Sequence, residues 1–333
     1  IVIHMNELPD HSTLTPSLTA QLNATIMARP VSGHDLQAAA LFTLDAVANI
    51  IAGRNSAQGR KLLAWQRAMS MGSNHPIDKA RLAFLYGSLC LILEVDDLHR
   101  ASVVHPGCIV VPAVFAMSGG SDGKAALTAI LRGFEACCRV GMSVGSRHYE
   151  IWHNTATCGP FGSAMAVASL LGLNQTGCVN ALGNAGSQSA GLWQFLDTGA
   201  ETKHLHAGRG AEAGLVAATL AQCDFTGAPE ILEGSRGFYR ATCPNPDVSL
   251  LVPAENDPWQ LHQTSIKPWP SCRHTHPAIE CSLALHKQIA EPASIQSVKV
   301  SAYQAALDLC DRVEVETAYA GKFSLQHCVA TAL

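Results

Sequence analysis

Charge is what this 333-residue sequence has least of: 14% of its residues are charged, Lys+Arg 22 stand against Asp+Glu 26, and the net charge is −4. So few charges beside 48% hydrophobic residues exclude a chain whose main state is disordered. No run of five or more Lys or Arg occurs, so the basic footprint of a nucleic-acid binder is missing and no DNA or RNA partner is expected. Two apolar stretches, 83–95 and 161–173, fall short of the ~18–20 residues that span a bilayer, and no membrane partner is expected either. The opening residues IVIHMNELPDH lack the basic, apolar and small-residue regions of a secretory leader, which sets a cytoplasmic location as the expectation.

The sequence also has no C-x-x-C, although it holds 12 cysteines. A chain of this length does not need staples, and Cys90, Cys178 and Cys281, scattered through apolar runs, read as small buried hydrophobes of a reducing compartment. Nucleotide loops are missing too. Gly208-Arg209-Gly210 with Gly214 is not G-x-G-x-x-G, and Ser121-Asp122-Gly123-Lys124 lacks the first glycine of a phosphate loop. Neither H-E-x-x-H nor a calcium loop occurs.

What is present is helical periodicity. Leu36, Ala40, Leu44, Val47 and Ile51 recur at spacings of three and four, with Gly53 as a stop. Further helices are expected from Ile77 to Glu94, after the breaker run 72–76, and from Gly123 to Val140, after the loop 119–122. Segments 161–172, 175–193 and 207–222 are helical in pattern and rich in Gly, Ala and Ser, so their axes can approach closely. Strand signals are scarce before residue 250. Pro244, Pro246, Pro253 and Pro258 then mark a linker. Beyond it, Val298, Val300 and Ala302 alternate as a half-buried strand, while Ala278, Cys281, Leu285 and Ile289 mark a helix. Residues 1–252 therefore read as an all-helical domain and 253–333 as a small α+β unit.

Four polar segments are set in apolar surroundings. Glu94 to Arg100 places adjacent carboxylates Asp96 and Asp97 at a helix end, with His99 and His105 following, so acid and base candidates share one loop. Arg147-His148 and then His153-Asn154-Thr155 stand just ahead of a small-residue helix, where side chains and backbone N–H groups can meet an anion. Lys203, one of eight lysines, sits between Thr202 and His204-Leu205-His206. A buried lysine opposite a carboxylate is a strong electrostatic device, and an exposed one serves only solubility. Lys267-Pro268-Trp269-Pro270 stiffens the chain ahead of Cys272, Arg273, His274 and His276. The pairs His204/His206 and His274/His276 with Asp96/Asp97 could ligate a metal, but no segment has a recognised ligand spacing, and no metal is expected.

Taken in order, these segments resemble the MmgE/PrpD family. The resemblance rests on the acidic stretch running to His105-Pro106-Gly107, Trp152-His153-Asn154-Thr155, Thr202-Lys203-x-Leu205-His206-x-Gly208, Gly227 to Gly234, Lys267-Pro268-x-Pro270 with His276, and Lys322 to His327. It implies a mainly α fold, a large all-helical domain plus a smaller α+β lid domain, commonly a homodimer with its site in the cleft between them. It also implies further chain after the Phe323-Ser324-Leu325 segment, so that the lid at 253–333 reads as C-terminally incomplete. Family members include 2-methylcitrate dehydratase, cis-aconitate decarboxylase and iminodisuccinate epimerase, which act without metal or organic cofactor on small di- or tricarboxylates.

Carried over, the catalytic set falls on His105, His153, Lys203 and Lys267, with Asp97 from the acidic stretch; from the same polar segments Glu94, His99, His206, Arg273 and His276 are the substrate-binding candidates. The family's D-x-D-D-T stands here as Glu94-Val95-Asp96-Asp97-Leu98, and a family histidine five residues after Lys267 stands here as Cys272. The implied activity is proton abstraction next to a carboxylate without a cofactor. A 2-methylcitrate-dehydratase-like lyase is the first reading, an iminodisuccinate-epimerase-like isomerase the second, and a non-catalytic carboxylate binder on the same scaffold the third.

Overall fold

The computed structural model describes residues 16–71, 77–120 and 122–333; the N-terminal eleven residues, the breaker run 72–76 and Ser121 in the loop 119–122 lie outside the described residues. Helices α1 (Leu18–Ala28), α2 (Gly33–Gly53), α3 (Ala57–Ser70) and α4 (Lys79–Leu91) lead to a two-residue strand, β1 (Leu98–His99). Then come α5 (Gly107–Met117), α6 (Gly123–Ser143), α7 (Gly145–Tyr149), α8 (Asn154–Leu170), α9 (Gln175–Gly186), α10 (Thr202–Gln222) and α11 (Phe238–Thr242). After the proline-rich segment follow β2 (Thr264–Ser265), α12 (His276–His286), α13 (Gln304–Cys310), α14 (Ala318–Gly321) and α15 (Leu325–Ala332). The fold is mainly α, as the periodicity predicts.

Side-chain oxygens start several of these helices. Ser32 and Asp35 form a reciprocal capping box on α2, and Ser56 and Asp78 accept from the third backbone N–H of α3 and α4. The core lies between α4, α5, α6, α8 and α10, with Ile109, Leu131, Phe134, Phe161 and Met165 fully buried. Small residues set how near the helices come. A Cβ at Gly208 would overlap Ser88 Oγ and the Phe84 carbonyl of α4, and one at Gly214 would overlap Ser163 and the backbone of α8. α10 therefore lies against both neighbours, and its first turn is carried to the C-terminal end of α4.

Three expectations need correcting. The strand expected at 298–302 is not formed: those residues carry no regular structure, and Val298 and Val300 are exposed. Alternation marks a face, but a strand also needs a partner edge, and among the described residues the only paired strands are β1 and β2, antiparallel with Leu98 opposite Ser265. Cys281 is exposed on α12 rather than buried, whereas Cys90 and Cys178 are buried, and all twelve cysteines are unpaired. Helix α2 is also long and apolar enough, by length and composition, to cross a membrane, which the count of apolar runs overlooked. Here it lies against α4 and α6 with Ala39, Ala46, Asn49 and Ile50 inward.

Candidate active site

The site is built on the loop that leaves α4. Glu94 has a φ of 60° and Val103 one of 52°, left-handed conformations that are sterically unfavourable for residues with a side chain, most of all for β-branched valine. The loop is held on several sides. Lys322 Nζ donates to the Leu93 carbonyl at 2.6 Å, Asn154 Nδ2 donates to the Ser102 carbonyl at 2.7 Å, and the His105 N–H donates to Thr155 Oγ1 at 3.1 Å. Both oxygens of Asp97 accept from the Gly107 N–H, at 2.9 and 3.1 Å, at the start of α5. That contact turns Asp97 away and leaves Asp96 toward the interior.

Two lysines from distant parts of the chain converge on this loop. Lys203, in the first turn of α10, reaches Glu94 Oε1 at 2.7 Å and Oε2 at 2.6 Å; Lys267, just after β2, reaches Glu94 Oε2 at 3.2 Å and Asp96 Oδ1 at 3.8 Å. All four side chains are buried. Burial alone would raise the Glu94 carboxyl, yet Lys203 and then Lys267 outweigh it and hold it well below the usual carboxylate range. Burial likewise opposes the charge on Lys203, but Glu94 leaves its ammonium harder to deprotonate than usual. The lysines do meet around a carboxylate, and that carboxylate is the protein's own. Burial, reinforced by Asp96 and Asp45, pushes the Asp97 carboxyl well up.

Beside them stand two imidazoles. His105 Nδ1 donates to the Asp97 carbonyl at 2.8 Å and lies 3.0 Å from Asp96 Oδ2. His153, at the head of α8, has its Nδ1 3.1 Å from His206 Nδ1, and its ring centre is 6.4 Å from that of His105. Burial, then the His206 and Lys203 charges, push His153 well below its ordinary value; burial lowers His105 although Asp96 pulls the other way. Both rings are neutral near pH 7, the form that can accept a proton.

His105, His153, Lys203 and Arg273 line one narrow cavity, of about 20 Å³, whose other walls include Tyr149, Trp193, Cys272, His274 and Phe323. Residues on both sides of the proline-rich segment therefore share it. Among the expected site residues Glu94 and Lys267 lie directly behind this wall, and His206 backs His153 from the far side. Three others turn elsewhere. Asp97 caps α5, and Asp96, named beside Asp97 as a candidate but left out of the catalytic and substrate-binding sets, is the carboxylate that faces His105. His99 spends both ring nitrogens on the scaffold, at 2.8 Å from Ser102 Oγ and 3.0 Å from Gln260 Oε1. His276 packs edge-on to Trp269 with Nε2 3.3 Å from the Ser271 carbonyl. These three are absent from the cavity wall because each side chain finds a nearer backbone or amide partner.

Tyr149, Trp193, His274 and Cys272 are among the wall residues that the sequence reading did not place in the site. Tyr149 Oη lies 3.3 Å from His274 Nε2, and His274 Nδ1 lies 2.7 Å from Tyr303 Oη. The proximity of Cys272 and His274 to Lys267 in the sequence was a usable signal; for Trp193 there was none. The paired histidines do not act in pairs, since His204 stands edge-on to Tyr319 while His206 meets His153. Among the described residues the group close enough to hold an ion is His34, Asp35 and His262, away from the cavity.

Residues 20–251 match the MmgE/PrpD N-terminal domain, and residues 269–333 match the MmgE/PrpD C-terminal domain. The chain belongs to the MmgE/PrpD family. Relatives within the family include a cis-aconitate decarboxylase from Aspergillus terreus, 28% identical over 265 residues that cover 72% of this chain and 54% of that protein. The mouse cis-aconitate decarboxylase is 28% identical over 221 residues, 63% of this chain and 44% of that protein. The chain thus spans about half the length of the curated relatives it matches. Both family domains contribute to the cavity: Lys203 and the two histidines come from the first, and Cys272, Arg273 and His274 from the second.

Proposed function

We propose that the protein is a lyase that removes a proton from the carbon next to a carboxylate of a small tricarboxylate without a cofactor, in the manner of a 2-methylcitrate dehydratase. The observation that carries this reading is the meeting of Lys203, Arg273 and two neutral imidazoles in one cavity, with Glu94 and Asp96 behind them. Loss of the proton leaves an electron pair that is costly unless cations meet the developing enediolate. Lys203 and Arg273 supply that charge, and Arg273 can grip a carboxylate through two N–H groups. Lys267 sits deeper and positions Glu94 and Asp96.

Either imidazole can take the proton. His105 gains from doing so, because Asp96 lies 3.0 Å from its Nδ1 and stabilises the imidazolium that forms. The pair then returns to expel hydroxide from the neighbouring carbon, the His105 imidazolium gives back the proton that turns it into water, and an alkene remains. A cavity of about 20 Å³ holds about one water. A tricarboxylate therefore enters only when the wall formed by Cys272, Arg273, His274 and Phe323 moves off the helical body, and its return expels solvent.

Decarboxylation is the second reading, favoured by the name cis-aconitate decarboxylase that the relatives carry. It needs the same cations but loses carbon dioxide in place of the first proton. Incubation with citrate, 2-methylcitrate and cis-aconitate separates the two readings: rising alkene absorbance without gas marks the dehydratase, and carbon dioxide from cis-aconitate marks the decarboxylase. A folded protein silent in both assays would sink the carbanion chemistry. A citrate-induced rise in melting temperature without turnover would then leave a carboxylate binder.

A further inference from the structure

In the elimination above His105 both takes and returns the proton, which leaves His153 in the cavity wall without a step of its own. His153 instead touches a second imidazole. Its Nδ1 lies 3.1 Å from Nδ1 of His206, and His206 lines a separate groove of about 530 Å³ on the other side of the pair. That groove is open, since Gln188, Ala190, Leu205 and Arg209 in its wall are exposed. The two rings thus stand in line between the narrow cavity and solvent, although both are buried. They are also held in place. Trp193 packs against the His153 ring at 4.6 Å between centres, and Phe195 meets the His206 ring edge-on at 5.5 Å. Gly191 lines the groove beside them, its carbonyl accepting from the His153 N–H at 3.0 Å. Its φ of 141° favours glycine, and a Cβ there would overlap that of Ala156, so no side chain stands at this point of the groove wall.

We propose that His153 and His206 form a proton conduit between the closed cavity and the outer groove. The conduit rests on the reading that the cavity moves protons, and it serves that chemistry while the wall is shut. His206, lowered to about 4 by burial and then by the Lys203 charge, is neutral between passages, as His153 is. A neutral imidazole carries a proton on one ring nitrogen and a lone pair on the other, so one of the facing Nδ1 atoms donates and the other accepts. When His206 donates, a proton from the groove binds its Nε2, the Nδ1 proton crosses to His153, and His153 releases its Nε2 proton into the cavity. Two N–H bonds form, two break, and no charge is left behind. The pair then stands with His153 as donor, set for the reverse passage. A proton taken up at His153 Nε2 sends the Nδ1 proton back to His206, whose Nε2 proton leaves by the groove. The inward passage supplies the proton that a decarboxylated carbon must gain, and the outward one lets an abstracted proton reach solvent.

The test follows the ring N–H protons of the whole protein, isotope-labelled at its histidine nitrogens, by magnetisation transfer from water. His99 and His148 are internal references, because both are buried and each holds both ring nitrogens on scaffold partners. The His153 ring proton is expected to exchange at least about tenfold faster than theirs although its ring is also buried. His206→Gln keeps a hydrogen-bonding partner for His153 but cannot relay, and should bring the exchange down to the reference rate. In His206→Ala, imidazole added to the buffer should restore fast exchange, which a merely structural role of His206 would not allow. Exchange at His153 no faster than at the references, or unchanged in His206→Gln, overturns the conduit even if turnover is intact. Fast exchange that depends on His206, in a protein silent toward every tricarboxylate, would keep the conduit and sink the lyase.

Discussion

Two fully buried glutamates in this protein each hold two cations, and only one of them belongs to the candidate site. Glu135 on α6 accepts from Arg139 Nε at 2.9 Å, from Arg29 Nη1 at 3.3 Å and from the Gln260 N–H at 2.6 Å, and Arg139 also reaches Asp257 at 2.7 Å. Glu94 holds Lys203 and Lys267. Around Glu135 the cations are guanidinium groups whose N–H bonds are spent on fixed partners, and they tie α1, α6 and the segment before β2 together. Around Glu94 they are compact ammonium groups beside a cavity, neutral imidazoles and a left-handed backbone. Burial leaves the Glu135 carboxyl raised despite its partners, whereas the lysines pull Glu94 down. A buried ion pair is thus not in itself a sign of function; the strained loop and the adjoining free volume are what separate the two.

Acid offers the bluntest way to break this comparison, because both regions rest on histidines that are buried neutral. His99, His148, His204, His206 and His276 are each pushed down to about 4, by burial first. An unfolded chain binds their protons near pH 6.5 and the folded one does not, so stability is full above about 6.5 and falls as pH drops toward 4. Each contributes on the order of 3 kcal/mol across that window. Urea unfolding at pH 7, 5.5 and 4 should show a steep loss, and an unchanged midpoint would contradict the buried, neutral state of these rings. The two glutamates titrate in opposite senses. The contribution of Glu94 is present above its unfolded value and is lost as pH falls through its lowered folded value; that of Glu135 is lost as pH rises through its raised one.

Substitution sharpens the contrast. Glu135→Ala strands buried Arg139 and should cost about 3–5 kcal/mol in denaturant unfolding, yet any folded fraction should still bind citrate. Lys203→Met should lower turnover by about 10²–10³-fold and abolish citrate stabilisation, which corresponds to removing a group that meets developing charge. Were Glu135→Ala to keep full stability while losing ligand binding, the assignment of the two clusters would be reversed. The finest distinction lies within the acidic loop. Asp96→Asn should slow turnover by about 10²-fold with the fold intact, while Asp97→Asn should cost about 1 kcal/mol of stability through the start of α5 and leave turnover close to wild type.

Much of this arrangement was readable in the residues. The three- and four-residue apolar spacing gave α2, α4 and α6, and the small-residue stretches gave the close approach of α8 and α10. The segments singled out for chemistry supplied His105, His153, Lys203 and Arg273 to the cavity, with Glu94 and Lys267 behind it. The choice between Asp96 and Asp97 was not readable, because neighbouring side chains point apart and the direction depends on where the loop turns left-handed. His99 and His276 were offered as ligand-binding groups on composition, but an imidazole takes whichever partner the fold brings near, here Gln260 and the Ser271 carbonyl. Trp193 and Tyr149 carried no local mark at all.

By itself, then, the sequence determined that the chain is helical and that its few ionisable residues in apolar surroundings must find partners, since period and desolvation act locally and need no knowledge of the fold. Which partners they found was decided only in three dimensions. Lys203 and Lys267 lie 109 and 173 residues from Glu94, and it took the close seating of α10 on α4 and the return of the chain through β2 to bring them together. Electrostatic function at such a site is a property of distance through space, and distance through space is fixed by packing.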